Sequence, residues 1–502
     1  MTFKPLHTME LLAPAGGRSQ LEAALRFGAD AVYLACDRFG MRQRAENFAL
    51  ADIPDAVRLA HDAGAAVHVT LNTLMDADDI DALPGYLEAL ADAGVDAFIV
   101  SDLGAFTLAQ EHAPGVALHV STQASVANAA AARRWHDMGA TRVVCAREMG
   151  IEDIARLRAD APRELEIEAF AHGAMCVAVS GRCLLSAAMT GRSGNKGHCS
   201  QSCRWSYALV EEKRPGEYFP IEEDVRGSFV LNAQDLCMID HLDDLATAGV
   251  DSIKLEGRNK KAFYVATVVH AYRAVLDGAD PASVHDDLLA ISHRPYGTGF
   301  YYGQPNQTPE RDGYVKECLH VATVTACEPA GERGATCCAA AEPAGERDAA
   351  DESAGERAAA GESAGERGME RSASEPAGES GAALDASDPA VERVTADESA
   401  MERVVGPEPE YGGSSWIVEA QCHNRFCEGD ELELLAPHRP IEKIRVESLR
   451  WLPDPTEDDP APHPVTVGVA NRSMARYRFT VGTPLQEGDL LRARIAREGE
   501  SR

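Results

Sequence analysis

The feature that most constrains the fold is one joint that recurs five times between Glu10 and Gly278. Each copy has an Ala/Leu-rich helical stretch, a small residue and a glycine, and then a short run rich in β-branched residues. We expect the glycine to take the left-handed conformation that ends a helix, and the run after it to be a strand buried on both faces. The five glycines are Gly28, Gly64, Gly94, Gly139 and Gly249. Five such joints predict a parallel α/β sheet.

Three further apolar runs, beginning at Leu11, Ala117 and Glu166, bring the expected strand count to eight. No Gly-x-Gly-x-x-Gly fingerprint follows any of these strands. Its absence disfavours an open, doubly wound sheet and favours a TIM-like (β/α)8 barrel over residues 1–278. A possible ninth run at residues 229–231 leaves the count open.

Residues 326–403 differ abruptly in composition from the rest of the chain. The tetrapeptide Ala-Gly-Glu-Arg recurs four times there, with almost no aromatic or β-branched residue in between. Such a segment cannot bury enough apolar surface to fold. We therefore predict a disordered acidic linker over these residues.

Short strand-like runs flank this linker, Val321–Thr325 before it and Trp416–Ala420 after it, and three more follow at residues 431–435, 443–446 and 476–480. They predict a small antiparallel β-barrel domain over residues 404–502. Its first strand would lie at the end of a connection at residues 279–325, so that the linker interrupts the domain in one loop.

The charge balance excludes some function classes. The chain has 80 Asp and Glu residues against 48 Lys and Arg, a formal net charge of −32, and only eight of the basic residues are lysine. A protein that coats nucleic acid and a polybasic membrane binder are both excluded. Excess acid with scarce lysine is typical of a halophilic protein. At 1 M salt the screening length is only about 3 Å, so an acidic surface still admits anionic substrates. No apolar run is long enough to span a membrane, so we expect a cytoplasmic protein.

Polar residues that follow the predicted strands are candidates for an active site, because parallel barrels form theirs at the carboxyl ends of the strands. The most distinctive are Asn72, Gln123, Arg147, Glu148, His172, Glu256 and Arg258. Any one of them could instead cap a helix or form an ion pair at the barrel rim.

Four cysteines lie next to this rim in the pattern Cys-x6-Cys-x15-Cys-x3-Cys: Cys176, Cys183, Cys199 and Cys203. Four thiols within 28 residues indicate a metal centre, since a metal offsets the cost of deprotonating each one. The lack of a Cys-x2-Cys knuckle argues against a zinc ribbon, and an iron-sulfur cluster tolerates such spacing. Zinc and unligated thiols remain alternatives, and Cys237 is an alternate ligand.

Several motifs resemble those of the U32 family, the collagenase-like "peptidases". They are Leu-Leu-Ala-Pro-Ala-Gly at 11–16, Ser-Thr-Gln at 121–123, the segment from Glu168 to Cys176, Ser-Gly-Arg-Cys-Leu-Leu-Ser at 180–186, Gly-His-Cys-Ser-Gln-Ser-Cys-Arg-Trp at 197–205, and Ile-Lys-Leu-Glu-Gly-Arg at 253–258. The resemblance covers roughly residues 9–325 and 404–495, including the cysteine-rich segment 172–205. It implies a TIM-like barrel with a C-terminal β-barrel.

The resemblance also implies one of two kinds of activity. One is proteolysis. The other is hydroxylation of the tRNA wobble uridine in a prephenate-dependent reaction, with relatives that hydroxylate ribosomal RNA or use an iron-sulfur cluster in quinone synthesis. A peptidase needs an activated nucleophile or a metal-bound water, and neither a Gly-x-Ser-x-Gly nor a His-Glu-x-x-His motif is present. Redox chemistry accounts for four cysteines, whereas proteolysis uses at most one.

We therefore expect an iron-sulfur-dependent tRNA hydroxylase, with a 4Fe-4S cluster on the four cysteines and prephenate as a possible co-substrate. Arg147, Lys254 and Arg258 would bind a phosphate or dicarboxylate, and Asn72 and Gln123 would read a base edge. His172, Glu148 and Glu256 are the candidate catalytic residues, although His172 could equally bond a buried carbonyl. Contacts to tRNA would come from residues such as Lys260 and Lys261. The alternatives are a collagenase-like peptidase and a non-catalytic RNA-binding scaffold with a structural metal, and a paralogue partner is possible.

Overall fold

The structure is a computed structural model of the chain. It describes residues 5–41, 45–175, 183, 185–202, 208–209, 219–220, 234–303, 314–330, 415–456, 459 and 461–495. Its central element is a closed barrel of eight parallel strands, in which the first strand pairs with both the second and the last. The predicted TIM-like (β/α)8 barrel is confirmed.

The strands of the N-terminal region alternate with helices along the chain. The strands are β1 (Glu10–Pro14), β2 (Ala31–Leu34), β3 (Ala66–Leu71), β4 (Ala97–Val100), β5 (Ala117–Val120), β6 (Arg142–Val144), β7 (Glu166–Ala174), β8 (Ala208–Leu209), β9 (Phe219–Pro220), β10 (Asp235–Cys237), β11 (Ser252–Leu255) and β12 (Tyr296–Gly297). The helices are α1 (Arg18–Arg26), α2 (Ile53–Asp62), α3 (Ala77–Asp92), α4 (Leu103–His112), α5 (Ala129–Asp137), α6 (Ile151–Asp160), α7 (Leu185–Thr190), α8 (Leu242–Thr247), α9 (Ala262–Leu276) and α10 (His285–Ala290). The barrel itself uses β1–β7 and β11.

The recurring glycines end their helices as expected. Each lies one residue past a helix C-cap with φ between +79° and +109°. An L-residue with a side chain is strained in this conformation, so glycine is the residue that allows the chain to turn from helix into strand within two or three residues. These short joints place the helices around the outside of the barrel.

The inner face of the barrel is filled in two ways. One layer is apolar and consists of Leu12, Ala31, Tyr33, Ala66 and Ile99. The rest of the interior is polar, with buried histidine, arginine, glutamate and lysine side chains on β3, β5, β6, β7 and β11. The outer faces of the strands pack against the helices in a larger apolar core.

One strand extends beyond the barrel. β7 continues to Ala174 and pairs antiparallel with β10, which in turn pairs with β12. The cysteine-rich segment leaves the barrel from this extension. The possible ninth run at residues 229–231 lies outside the described residues.

The C-terminal region forms a curled antiparallel sheet of eight strands. Its elements, with a separate two-stranded pair of β15 and β20, are β13 (Cys318–Pro329), β14 (Trp416–Cys422), β15 (Phe426–Cys427), β16 (Glu431–Leu435), β17 (Glu442–Arg445), β18 (Glu447–Leu452), β19 (Val465–Thr466), β20 (Val469–Ala470), β21 (Arg476–Val481) and β22 (Leu490–Arg494). All five predicted strands are present, and β15, β18, β19, β20 and β22 were missed. The predicted antiparallel domain is thus confirmed.

The acidic repeats connect two strands of one hairpin. β13 and β14 pair up to Pro329 and Trp416, and residues 331–414 lie between these ends and outside the described residues. β13 is longer than predicted, because residues 326–329 pair with residues 416–419 instead of starting the linker. Loop closure costs little extra as a loop lengthens, which explains why a hairpin tolerates such an insertion. Within the described ranges, no helix is both long and apolar enough to cross a membrane.

Candidate active site

A small cavity of about 50 Å³ opens at the carboxyl end of the barrel strands. Its lining comprises Tyr33, Met41, Thr70, Asn72, Ile99, Ser121, Thr122, Gln123, Val144, Arg147, Phe170, Lys254, Glu256 and Arg258. Six of the predicted site residues meet here, and they come from β3, β5, β6 and β11 or from the loops that follow them.

Lys254 lies at the inner end of the cavity. Its Nζ donates a hydrogen bond of 2.9 Å to Oε1 of Glu168 and lies 4.2 Å from the centre of the Tyr33 ring. Burial lowers the pKa of the Lys254 ammonium, and the charge of Glu168 opposes that shift. The hydrogen bond to Glu168 holds the Lys254 side chain in position at the cavity floor.

Beneath Lys254, a single arginine joins the carboxylates of the barrel interior. Arg142 donates to both carboxylate oxygens of Glu10 at 2.6 and 2.9 Å, to Glu168 at 3.1 Å and to Glu166 at 2.8 Å. Burial alone would raise the pKa of Glu10, but the hydrogen bonds and charge of Arg142 outweigh it and lower that pKa to about 2. Glu168 therefore contacts both Arg142 and Lys254, and it links this network to the cavity.

Two neutral histidines complete the inner layer. His68 on β3 and His119 on β5 are buried, and their rings meet edge to face with centres 4.7 Å apart. Burial lowers the pKa of His68 to about 4 and that of His119 well below its usual value.

The free energy of unfolding should therefore fall in mildly acidic solution. Because the folded pKa of His68 is about 4 and its ordinary value is 6.5, the unfolded chain binds the extra proton between these values. Stability is thus fully present above pH 6.5 and is lost as the pH falls towards 4. We expect His68→Gln to reduce this dependence by up to about 1.4 kcal/mol per pH unit, measured by denaturant titration at several pH values. An unchanged slope in that variant would contradict a neutral buried His68.

Arg258 supplies a second fixed cation. Its guanidinium donates to Oγ1 of Thr70 at 3.1 Å and to Oδ1 of Asn47 at 2.5 Å. The backbone carbonyl oxygen of Arg258 also explains why the Leu-Leu-Ala-Pro-Ala-Gly motif ends in glycine. A Cβ on Gly16 would lie 1.9 Å from that oxygen. Glycine is required where the first barrel loop passes the Arg258 backbone.

Side-chain amides line another wall of the cavity. Nδ2 of Asn72 donates to Oγ of Ser121 at 3.1 Å, and the same hydroxyl accepts from the backbone N–H of Gln123 at 3.2 Å. Oε1 of Gln123 is buried and has no hydrogen-bond partner among the described residues. A buried acceptor without a partner is costly, so Gln123 is suited to a donor group on a bound molecule.

Three further predicted residues follow β6 and β11, and two of them line the cavity. Arg147 stacks over the Phe170 ring with its Cζ 3.8 Å from the ring centre and donates to the carbonyl of Ala174 at 3.1 Å. Glu256 lines the cavity and is positioned by a backbone hydrogen bond to His172 O. Glu148 is half-buried beside Arg147 and does not line the cavity.

His172 also lies outside the cavity. It is buried among the rings of Tyr264, Tyr272 and Tyr296, with its Nδ1 3.4 Å from the Tyr272 hydroxyl. Its Nε2 has no hydrogen-bond partner among the described residues, and burial lowers its pKa to about 3. The physical reason is a register shift in β7 against β11, which pairs His172 with outward-facing Leu255.

Two of the five candidate cysteines, Cys176 and Cys203, lie outside the described residues. Cys183 and Cys199 are both half-buried, and their stretches of chain are joined by hydrogen bonds from the N–H and hydroxyl of Ser200 to the hydroxyl of Ser186. Sγ of Cys199 accepts the N–H of Gln201 at 3.3 Å. Over the described ranges, no three metal-binding side chains come together.

The same cysteine segment touches the barrel mouth. Asn195 bonds both the N–H and the carbonyl of Cys183, and its own carbonyl accepts the N–H of Leu74 in the loop after β3. This contact is two residues from Asn72 in the cavity wall. Cys237, by contrast, lies opposite His172 on β10, near the Tyr272 hydroxyl, and burial raises its pKa to about 11.

Sequence reasoning missed several cavity residues. Tyr33 and Phe170 lie on the inner faces of their strands, as does Glu168 just below them. The available signal was the period-two alternation of β7, which places Glu168 and Phe170 on one face.

Comparison with known proteins identifies the family. Residues 16–311 match the family model described as peptidase family U32, and residues 403–492 match the model of the U32 C-terminal domain. The first match spans more than half of the chain. The chain belongs to peptidase family U32. The resemblance inferred from the motifs is confirmed.

Curated U32 relatives carry names of different activities. The "tRNA hydroxylation protein P1" of Bacillus subtilis (strain 168) is 39% identical over 322 residues, which is 62% of this chain and 74% of that protein. The "23S rRNA 5-hydroxycytidine C2501 synthase" of Escherichia coli (strain K12) is 39% identical over 271 residues, 54% of this chain and 40% of that protein. The "Collagenase" of Porphyromonas gingivalis (strain ATCC BAA-308 / W83) is 32% identical over 317 residues, 60% of this chain and 75% of that protein.

Proposed function

We propose that this U32 protein hydroxylates RNA, with the wobble uridine of tRNA as its substrate. The observation that carries the proposal is the composition of the cavity, which combines three cations, two side-chain amides and two aromatic rings at the mouth of a rigid barrel. Relatives named for tRNA and rRNA hydroxylation support it. Amides and rings are the groups with which proteins recognise an unstacked base.

Each part of the cavity has a role in this proposal. Gln123 and Asn72 present amide groups to the polar edge of a pyrimidine. Lys254, Arg147 and Arg258 bind the anionic groups of a nucleotide phosphate or of a small dicarboxylate such as prephenate, the expected co-substrate. Glu256 orients these cations or accepts a proton from the reacting base.

The proposal includes an iron-sulfur cluster held by Cys176, Cys183, Cys199 and Cys203, with Cys237 as an alternate ligand. Two observations fit this ligand set: the Cys183 and Cys199 stretches are hydrogen-bonded together, and Cys199 Sγ accepts a backbone N–H, as cluster thiolates do. When bound, such a cluster supplies electron transfer. The contact between Asn195 and Leu74 places the segment beside the cavity.

Proteolysis and a scaffold role are weaker alternatives. The described cavity lining contains neither a histidine nor a cysteine, and the Ser121 hydroxyl is engaged with Asn72 and Gln123. A serine or cysteine nucleophile needs an adjacent base. The cavity also concentrates three cations and one carboxylate that a scaffold would not need: Arg147, Lys254, Arg258 and Glu256.

The test is mass spectrometry of tRNA nucleosides from a strain that lacks this gene. We expect the hydroxylated wobble uridine to disappear and to return when the wild-type gene is supplied. An Arg258→Gln, Gln123→Leu double variant should fail to restore it, because both a fixed cation and the buried acceptor are lost. Unchanged wobble uridine in the deletion strain, together with gelatin hydrolysis by the purified protein, would favour the peptidase instead.

A further inference from the structure

A surface patch beside the cavity mouth combines an exposed aromatic ring with cations. We define the Tyr314 patch as Lys260, Lys261, Arg294, Tyr314 and Lys316. Tyr314 is 45% exposed, and Lys261 and Lys316 are also exposed. Nζ of Lys260 lies 4.5 Å from the centre of the Tyr314 ring, and Cζ of Arg294 lies 5.0 Å from it.

The patch is held rigidly. The backbones of Val315 and His293 exchange two hydrogen bonds of 2.8 and 2.9 Å, which fix the chain next to Tyr314. Lys260 donates to the carbonyl of Ser292 at 3.0 Å and also lies over the Tyr264 ring. Arg294 is only 3% exposed. An aromatic side chain supported in this way loses little conformational freedom when a flat group stacks on it.

The distribution of lysine singles out this surface. The chain has eight lysines in 502 residues; Lys260 lies over the Tyr314 ring, Lys261 is its neighbour in sequence, and Lys316 is two residues beyond Tyr314. Lys260 is two residues beyond Arg258, which lines that cavity. In a chain of net charge −32, three of the eight lysines thus lie within two residues of Tyr314 or of the lysine that supports its ring. The nearby carboxylate of Glu317 faces Arg494 at 3.7 Å.

We infer that the Tyr314 patch binds single-stranded RNA, with a base next to the modified nucleotide stacked on Tyr314 and the lysines near its phosphates. This inference rests on the proposed function. It adds a binding surface for the RNA that flanks the modified nucleotide. Cationic surfaces with exposed aromatic rings are the common means of binding unpaired RNA. Stacking matters more here than charge, because the acidic remainder of the protein repels phosphates and stacking resists salt.

The test measures binding of two fluorescein-labelled probes, oligouridylate RNA and a tRNA pool, to the full-length protein by fluorescence anisotropy. We expect Tyr314→Ala to raise Kd about 5- to 150-fold at every salt concentration, since one stacked base is lost. Tyr314→Phe keeps the ring and should bind like the wild type. The double variant Lys260→Gln, Lys261→Gln should weaken binding at low salt and flatten its salt dependence.

Tyr302→Ala is the matched control, because Tyr302 is 52% exposed but its hydroxyl bonds Asp244 on α8, away from the patch. It should bind RNA normally. Wild-type protein that binds RNA with a Kd that Tyr314→Ala leaves unchanged would overturn the inference while leaving the proposed function intact. Wild-type protein that binds neither probe would overturn both. Thermal unfolding of each variant shows whether a weaker Kd reflects a lost contact or a lost fold.

Discussion

Replacing Cys183 or Cys199 with serine is expected to abolish iron binding and RNA hydroxylation in this protein. Each thiolate would bind one iron of the proposed cluster, and a serine oxygen is a harder ligand that such clusters do not favour. The hydrogen bonds between Ser186 and Ser200 involve neither thiol, so the segment should keep its local structure in both variants. Loss of the metal and loss of fold are therefore separable.

The measurement is iron and acid-labile sulfide per chain after anaerobic purification, followed by nucleoside analysis of tRNA from complemented cells. Cys427→Ser is a suitable control, because Cys427 is a half-buried free thiol on β15 in the C-terminal region. Cys237→Ser tests whether Cys237 is a cluster ligand, and this variant should retain the cluster. A Cys199→Ser protein with full iron and sulfide would contradict the ligand assignment, and zinc in the wild type would contradict the cluster.

The barrel could be predicted from sequence because its signals are local. A glycine at φ near +90° and an apolar run after it are both fixed within a few residues, so Gly28 or Gly139 identifies a helix–strand joint without knowledge of the rest of the chain. β18 and β22 lacked such a signal. Neither strand alternates strictly between buried and exposed positions, and each is fixed by pairing with a strand distant in the sequence, β21 for β18 and β13 for β22.

Positions in the candidate site were predictable to the extent that they depend on strand ends. Asn72, Gln123 and Arg258 follow apolar runs, and the geometry of a parallel barrel brings such residues to one cavity. His172 was different, because a one-residue register shift in β7 turns its ring out of the barrel. Lys254 was predicted as a site residue, but its ion pair with Glu168 was not, since a charged residue within a strand gives no sign of whether its partner is water or another buried charge.

The buried charges of the barrel interior lead to the second large expected effect. Arg142 is 4% exposed and bonds Glu10, Glu166 and Glu168, of which Glu168 is completely buried. Transferring these groups from water is costly, and their mutual hydrogen bonds compensate for that cost only while the set is complete. Removing Arg142 leaves the largely buried Glu10 with only the Ser252 hydroxyl and the fully buried Glu168 with only Lys254.

We therefore expect Arg142→Met to lower the free energy of unfolding by about 3 to 5 kcal/mol, measured by urea titration at neutral pH. The Glu10 carboxyl should also titrate closer to its ordinary pKa, since Arg142 is what lowers it to about 2. The wild type keeps the contribution of Glu10 above pH 4.5 and loses it as the pH falls towards 2. Arg142→Met should lack that acid-dependent loss and be less stable throughout.

Arg156→Ala is the matched control, because Arg156 also faces two carboxylates, Glu152 and Asp153, but its side chain is 74% exposed. We expect no measurable change there, as is usual for exposed ion pairs. A double-mutant cycle with Glu168→Gln then isolates the buried pair: the double variant should lose less stability than the sum of the singles, because neither partner is left facing an absent charge. Glu168→Gln should additionally weaken RNA hydroxylation, since it releases the Lys254 ammonium from its position at the cavity floor. Additive effects would mean that Arg142 and Glu168 act independently.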